Sequence, residues 1–411
     1  MSNSESNFEV FSYRWVVLIT FILVVIMTQV IWITFAPITG ETALDFFGSS
    51  DKTNPILLLS MVFMIAYVPM NYPACRGIDK FGLKWGTGIG VILTGVFGLL
   101  RAVSINYAPV LIFQIGCAIG QPFVLNSFTK IATNWFPEKE KTLATGLGTL
   151  AVLLGPVICM MVTPALYVAL GLQNTLYIYG GIAMFFMVLY LILVRDKPPS
   201  PPNAYSDKTK VFETKGTRDL FKKRDFNFLF ILMFIGIGVF NAISSGVDLL
   251  FDDVQNLHGI AKIDAIGYIG GIMILGGILG AVILSTLSDK FRKRKLFLIL
   301  AVVPSIGLSL LFFFIKDFIG LMIIAFIFGF LLISALPVGL TFAAEITYPI
   351  PEETSNGWLM WSGQISGIFL ILAVMFISAV DYNFIIYVVL FAIGSVLVFL
   401  MKDLDAYELK S

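Results

Sequence analysis

Long apolar stretches make up most of this 411-residue chain, and twelve of them have the length of a membrane-spanning helix. Such a helix needs about 17 to 25 residues to cross the hydrocarbon core of a bilayer. Because a backbone in lipid must satisfy its own hydrogen bonds, we expect all twelve to be helical. The stretches lie at 15–35, 56–74, 86–103, 109–129, 143–165, 175–194, 227–249, 265–287, 296–315, 318–343, 357–379 and 383–401.

The composition agrees with a chain solvated by lipid. Hydrophobic residues make up 58% of the sequence and charged residues 13%, against about 25% charged residues in soluble domains. A net charge of +1 predicts no nucleic-acid partner. His258 is the only histidine and the three cysteines form no close pair. We therefore expect no metal site, no cofactor and no enzymatic centre.

The positive charges predict the orientation of the chain. All but four of the 27 lysines and arginines fall on the side shared by both termini, and lysine and arginine accumulate on the cytoplasmic side of membrane proteins. We therefore expect a multi-pass protein of the cell membrane with both termini cytoplasmic. The four exceptions are Lys52, Arg101, Lys262 and Lys316.

A short charged turn occurs twice. Residues 79–84 read Asp-Lys-Phe-Gly-Leu-Lys and follow the second apolar stretch, and residues 289–295 read Asp-Lys-Phe-Arg-Lys-Arg-Lys and follow the eighth. A repeat at half the chain length indicates two equivalent halves. The predicted parts are an N-terminal six-helix half 1–194, a cytoplasmic linker 195–225, a C-terminal six-helix half 226–401 and a cytoplasmic tail 402–411.

This layout is similar to that of the major facilitator superfamily, whose signature loop reads Gly-x-x-x-Asp-Arg-x-Gly-Arg-Lys. The first turn resembles that loop, with Cys75 at the leading glycine and Lys80 at the arginine. The resemblance implies an all-α membrane protein of twelve transmembrane helices in two pseudo-symmetric six-helix halves. A cytoplasmic gating role and a role as topology anchor are both open for the turns. The candidate gating residues are Asp79, Lys80, Lys84, Asp289, Lys290 and Arg292.

Polar residues inside the apolar stretches are the candidate ligand contacts, because each is costly in lipid unless it has a role. Their neutral amides and tryptophans suit a small polar or cationic ligand; the alternative is interhelical hydrogen bonding, worth about 1 kcal/mol or less each. Asp248 is the best buried carboxylate for proton coupling, but it lies near the end of its stretch, which favours facilitated diffusion. The candidate binding residues are Gln29, Trp32, Gln121, Asn241, Trp361 and Gln364.

Three stretches give a narrower resemblance. Residues 59–69 (Leu-Ser-Met-Val-Phe-Met-Ile-Ala-Tyr-Val-Pro) are similar to the feline leukaemia virus subgroup C receptor-related family, with support from residues 13–15, 131–136 and 345–349, the last followed by 353–357. That family is described as carrying choline and ethanolamine, with haem an older assignment. The resemblance places its choline site on Trp32, Gln121 and Gln364. The family's tyrosine on the seventh helix is Asn241 here, so one aromatic wall is missing.

Together these features predict a monomeric carrier that moves a small organic solute, similar to choline or ethanolamine, across the bilayer by alternating access. One alternative is an exporter of amphipathic drugs or of haem-like compounds, which the many phenylalanines and methionines permit. A sensor that keeps the carrier fold without flux is another.

Overall fold

A computed structural model of the chain describes residues 10–103, 106–202, 211, 216–255, 257–377, 379 and 381–403. Over these ranges the protein is helical, with no β-strand. The helices of the N-terminal part are α1 (Tyr13–Trp32), α2 (Thr39–Phe47), α3 (Asn54–Gly82), α4 (Gly88–Val103), α5 (Tyr107–Leu125), α6 (Phe128–Trp135) and α7 (Lys141–Leu193).

The remaining helices follow a connection that is only partly described. They are α8 (Thr217–Leu220), α9 (Arg224–Ser245), α10 (Val247–Leu250), α11 (Ile260–Phe291), α12 (Arg294–Phe314), α13 (Phe318–Leu332), α14 (Ala335–Thr347), α15 (Glu352–Phe376) and α16 (Tyr382–Leu400). Within the predicted linker 195–225, residues 203–210 and 212–215 lie outside the described ranges, and the predicted tail 402–411 is described only as far as Asp403.

In the described part of the chain, ten helical stretches are long and apolar enough to cross a membrane, so this is a multi-pass membrane protein. Each of the twelve predicted stretches overlaps one of the ten. Asn54–Val103 contains two predicted stretches and turns at Gly82, where φ is +77°. Glu138–Leu193 also contains two and turns at Gly171, with the same φ. The sequence therefore located the apolar segments, and two of the expected loops are tight turns: a π-helical turn, Leu83–Thr87, follows Gly82, and Gly171 interrupts the helical backbone of α7.

One predicted boundary is wrong. The stretch 227–249 was expected to be a single helix, but α9 ends at Ser245 and a separate four-residue helix, α10, follows Gly246. Gly246 closes α9 by donating its backbone N–H to the carbonyl of Ala242. At Gly246 the backbone leaves the helical conformation (φ −108°, ψ 20°), so Asp248 belongs to α10 rather than to α9.

The contacts divide the chain into two compact units. The first consists of Met1–Trp32, Pro69–Gly155 and Leu176–Phe212. Its core is a closely packed group of apolar side chains that includes Phe21, Trp135 and Tyr190. The start of α1 is tied to the end of α7 because the hydroxyl of Tyr13 donates to the carbonyl of Leu193 at 2.7 Å.

The second unit consists of Ile33–Val68, Pro156–Thr175 and Glu213–Ser411. Helix α9 packs along α15, and α11 packs along α13. A side chain at Gly280 would collide with the carbonyl of Phe330 in α13, which explains the glycine-rich sequence of α11 as close helix packing. An aromatic group, Phe251, Phe312, Phe328 and Phe384, fills part of the core.

Candidate functional site

Trp32 is the last residue of α1 and belongs to the first unit. Its side chain is only 6% exposed, and its indole Nε1 has no hydrogen-bond partner in the part of the chain that the structure describes. A buried donor without a partner costs about 1–3 kcal/mol. A ligand that accepts this hydrogen bond would recover that energy, and the ring itself offers an apolar, cation-attracting face.

The end of α1 is held by a buried polar group that sequence reasoning missed. Arg101 of α4 is fully buried, and its Nη1 donates to Gln114 Oε1 at 2.6 Å and to the carbonyl of Ile31 at 3.2 Å. Gln114 Nε2 donates to the same carbonyl at 3.2 Å. The last carbonyls of a helix lack partners within the helix. Arg101 and Gln114 supply partners here and fix the residue next to Trp32.

Gln29 is buried one turn before Trp32. A Cβ added at Gly155 of α7 would lie 2.5 Å from the Cβ of Gln29, so the two helices approach closely at this position. Gly155 is thus a packing glycine, and Gln29 belongs to the contact between α1 and α7.

Gln121 lies near the C-terminal end of α5 and is 4% exposed. A side chain at Gly90 of α4 would collide with the carbonyl of Gly120 in α5, so the two helices are closely packed here. Farther along, Asn126 Nδ2 donates to Asn71 Oδ1 at 2.7 Å. The first unit thus holds three predicted binding residues, Gln29, Trp32 and Gln121, on tightly packed helices.

Asn241 of α9 belongs to the second unit and is also buried. Its Nδ2 has no hydrogen-bond partner among the described residues. A Cβ at Gly367 of α15 would lie 3.0 Å from this nitrogen and 2.6 Å from Met64 Sδ. The amide therefore faces α15 next to a polarizable sulfur, at a place where only glycine leaves room.

Three buried serines extend this polar surface. The hydroxyls of Ser244, Ser245 and Ser366 have no hydrogen-bond partner within the described ranges. Ser366 faces α9, because a side chain at Gly238 would collide with it. Ser366 was not identified from the sequence, although it lies two residues after the candidate Gln364. The contact of α9 with α15 thus holds several unused hydrogen-bonding groups.

The two predicted binding residues of α15, Trp361 and Gln364, differ in their contacts. Gln364 is half-buried, three residues before Gly367 and therefore on the same face of the helix. Trp361 donates its indole N–H to the carbonyl of Val68 at 3.0 Å, and its ring packs edge-on against Trp358, 5.3 Å away. Its N–H is thus occupied by packing with α3, and a role of Trp361 in binding stays a prediction.

The first charged turn forms an ion pair with α6. Asp79 Oδ1 lies 3.2 Å from Nζ of Lys130, a residue of α6 that is only 7% exposed. The carboxylate also accepts the backbone N–H of Val211, at 3.2 Å and 3.3 Å from its two oxygens. Lys130 was not among the candidate gating residues, because the sequence does not show that it reaches Asp79.

The lysines of this turn have other neighbours. The Nζ of Lys80 lies 5.3 Å from the ring centre of Phe81, and that of Lys84 lies 5.8 Å from Trp85. The backbone N–H of Lys84 donates to Asp196 Oδ1 at 2.7 Å. Asp196, which follows α7, thereby holds the backbone of this turn in place.

The second charged turn is built around Arg294, which is 6% exposed. Its guanidinium contacts Asp289 and lies 2.9 Å from Glu345 Oε1 at the end of α14, and it also donates to Ser288 at 3.2 Å. Lys290 and Arg292 are exposed. Within the basic run 290–295 only Arg294 is buried, and the sequence did not distinguish it from its neighbours.

No group of three or more histidine, cysteine, aspartate or glutamate side chains in the described ranges is placed to hold a metal ion. The free cysteines Cys75, Cys117 and Cys159 are all buried. The chemistry that these residues offer is therefore hydrogen bonding and aromatic contact within apolar helices.

Comparison with known proteins places the chain in a family. The profile of the Major Facilitator Superfamily matches residues 17–369. The chain is 29% identical over 392 residues to "Solute carrier family 49 member A3" of Xenopus tropicalis, covering 89% of this chain and 78% of that protein. It is 28% identical over 412 residues to "Choline/ethanolamine transporter FLVCR1" of Mus musculus, covering 90% of this chain and 70% of the relative.

The fold agrees with a solved structure. A bacterial homologue of the human lysosomal transporter Spinster, in an inward-facing and unoccupied conformation, superposes with a TM-score of 0.76 at 17% sequence identity. The alignment covers 96% of this chain and 98% of that structure. The superposition supports the fold, and the family profile spans more than half of the chain. The chain is therefore a membrane transporter that belongs to the Major Facilitator Superfamily.

Proposed function

We propose that the protein carries a small amine, similar to choline or ethanolamine, by alternating access. The observation that carries the proposal is the buried indole of Trp32, whose N–H has no partner among the described residues. The family resemblance places the aromatic wall of the ligand site on this residue. A tryptophan face attracts an ammonium group by about 0.5–2 kcal/mol, more when the site is dry.

The other proposed contacts are amides and hydroxyls rather than charges. The residues that carry these groups are Gln121, Asn241, Gln364 and Ser366. Their hydrogen bonds suit the hydroxyl of an amino alcohol. Asn241 replaces the aromatic tyrosine of the related family, so we propose a preference for ethanolamine, which offers N–H donors, over fully methylated choline.

The proposed architecture for this cycle is twelve transmembrane helices in two halves, 1–194 and 226–401. Both termini are cytoplasmic, and the protein is a monomer of the cell membrane. The turns at Asp79 and Asp289 serve as cytoplasmic latches, because their ion pairs tie together the cytoplasmic helix ends within each half. Two gated halves around one site are the general design of this type of carrier.

Transport by purified protein in liposomes tests the proposal. Wild-type protein should take up labelled ethanolamine and choline, and Trp32→Ala should reduce uptake at low substrate concentration by about tenfold, equivalent to about 1.4 kcal/mol of lost binding. Gln364→Ala should weaken uptake less. Trp85→Ala is the matched control, because Trp85 is 56% exposed, and it should transport normally.

The same assay separates the alternatives. Competition by a large planar porphyrin, with no effect of an excess of ethanolamine, would favour an exporter of amphipathic compounds. Normal uptake by both Trp32→Ala and Gln364→Ala would show that the assigned site is wrong. A folded protein with no flux of either amine would contradict the proposed substrate.

A further inference from the structure

Asp248 is a buried carboxyl group that is not one of the proposed substrate contacts. Asp248 belongs to the short helix α10 of the second unit, beyond the membrane-spanning helix that ends at Ser245. It is 8% exposed. Its Oδ2 accepts the backbone N–H of Gly40, in α2 of the same unit, at 2.7 Å. This contact joins two segments separated by more than 200 positions in the chain.

The charged groups around Asp248 do not neutralise it. Glu41 faces it from α2, Asp252 lies just after α10, and Lys262 approaches from α11. Lys262 forms an ion pair with Asp252, so its charge is already shared. Glu41 has a buried oxygen, Oε2, that accepts no hydrogen bond from the described residues. A carboxylate at Asp248 therefore adds to an excess of negative charge.

This environment makes protonation of Asp248 favourable. Burial, and next the charge of Glu41, raise the pKa of Asp248 to about 8, although the hydrogen bond from Gly40 and the charge of Lys262 act in the opposite direction. Near neutral pH the group can therefore exchange a proton in either direction. A group that only stabilised the fold through an ion pair would titrate several pH units lower.

The position of Asp248 relates this proton to the proposed substrate site. Asp248 follows Asn241 by seven residues, separated from it by the break at Gly246. Helix α10 packs against α2, α11 and the turn Ala36–Ile38. A change of charge at Asp248 alters the strength of its contact with Gly40 and its repulsion by Glu41, at the point where these elements meet.

We propose that Asp248 is the coupling-proton site of this carrier, a carboxyl that binds a proton in one part of the transport cycle and releases it in another. The chemistry is reversible ionisation, in which the carboxylic acid loses a proton to water and the carboxylate regains one. The transport meaning rests on the proposed function, whereas proton binding at Asp248 stands without it. This inference reverses the sequence-based preference for facilitated diffusion.

Infrared titration of the purified protein tests proton binding directly, without a substrate. Between about pH 6 and about pH 10, wild-type protein should lose the carbonyl absorption of a protonated carboxyl group. Asp248→Asn should lack this change. Asp253→Asn is the matched control, because Asp253 is an exposed acid in the same loop, and it should titrate as wild type does. An unchanged titration in Asp248→Asn would overturn the proposal.

Two further variants keep the test decisive if Asp248→Asn does not fold. Asp248→Glu retains a carboxyl in a displaced position, so its titration midpoint should differ from that of wild type. Glu41→Gln removes a neighbouring negative charge and should move the midpoint to lower pH. If both midpoints equal that of wild type, the titrating group lies elsewhere.

Uptake measurements then test coupling. Ethanolamine uptake into liposomes should depend on an imposed pH gradient in wild type and in Asp253→Asn, and this dependence should vanish in Asp248→Asn. A gradient dependence that survives in Asp248→Asn would overturn the coupling role. If wild type transports no ethanolamine at any pH, the proposed substrate is wrong, and the infrared titration still decides the proton site.

Thermal unfolding gives a separate readout. The folded protein holds a proton on Asp248 up to about pH 8, while an unfolded aspartate releases it near pH 3.9. Because the folded state binds more protons, the contribution of Asp248 to stability falls as pH rises between these values. Asp248→Asn should therefore gain in melting temperature relative to wild type as pH rises from 6 to 8, and Asp253→Asn should not.

Discussion

The two charged turns have the same first three residues but are stabilised by different contacts. Each begins Asp-Lys-Phe, and each ends its helix at the next residue with a positive φ: +77° at Gly82 and +53° at Arg292. In the first turn the carboxylate of Asp79 pairs with Lys130 of α6. In the second, an arginine of the turn reaches a glutamate of a following segment. The long-range partner is therefore a cation for the first turn and an anion for the second.

The backbones differ in how much they require glycine. Gly82 has φ +77° and ψ −178°, a conformation found almost only for glycine. Arg292 has φ 53° and ψ 27°, the left-handed helical conformation, which other residues adopt at a cost of about 1–2 kcal/mol. The repeated sequence therefore encodes a chain reversal in both places, but only the first turn depends on glycine. The following changes test this comparison.

Gly82→Ala should have the largest effect. An added Cβ would lie 2.5 Å from Asp196 Oδ1, the atom that accepts the N–H of Lys84. Strain and displacement of Asp196 together should cost about 3–5 kcal/mol, measured as a lower melting temperature of the purified protein. Gly146→Ala is the control, since a Cβ there meets no atom within 4 Å. Equal melting temperatures for both variants would contradict the requirement for glycine.

Arg294→Ala should follow, with a loss of about 2–4 kcal/mol in the free energy of unfolding. The change removes the buried cation and leaves Asp289 and Glu345 without their shared partner. Lys290→Ala, in the same basic run but exposed, should have almost no effect. If the two variants unfold at the same temperature, the network around Arg294 does not stabilise the turn.

Asp79→Asn should cost less, about 1–2 kcal/mol, because Lys130 remains largely buried without its anion. Asp289→Asn should cost about 0.5 kcal/mol or less, since the side chain of Asp289 is 64% exposed and Arg294 keeps its contact with Glu345. Thermal unfolding of both variants measures the difference. A larger loss for Asp289→Asn would reverse the proposed difference between the turns.

Arg292→Gly should have the smallest effect and the opposite sign. Glycine adopts a positive φ without strain, so we expect a gain of about 0.5–1 kcal/mol in the free energy of unfolding. The melting temperature should rise, while Arg292→Val should lower it, since a branched side chain fits this conformation poorly. A loss of stability in Arg292→Gly would show that the arginine side chain matters more than the backbone.

The sequence located every apolar segment because hydropathy and length are properties of local sequence. It misplaced the ends where a helix continues through polar residues, as α3 does to Gly82, or stops within an apolar stretch, as α9 does at Ser245. In the first case, polar residues beyond the predicted end have partners in other elements, as Asp79 has in Lys130 of α6. In the second, Asn241, Ser244 and Ser245 precede a glycine that closes the helix.

The candidate site could be predicted only in part. Trp32 and Asn241 were identified because polar atoms in lipid are costly, and both have buried nitrogens without partners among the described residues. From the sequence, Arg101 was placed on the side of the membrane opposite the termini, because it lies near the end of an apolar stretch. In the structure it is fully buried. Its partners, Gln114 and the carbonyl of Ile31, lie on two other helices, and nothing in the local sequence identifies them.

The sequence by itself determined that this protein is a helical membrane transporter of the Major Facilitator Superfamily, with a charged turn that occurs twice. Hydropathy, charge asymmetry and short motifs suffice for this because each is read along the chain. Only the tertiary structure decided which cation pairs with each turn and which polar atoms stay unused. It also decided that Asp248 meets Gly40. These contacts join residues far apart in sequence, so they depend on how the helices pack.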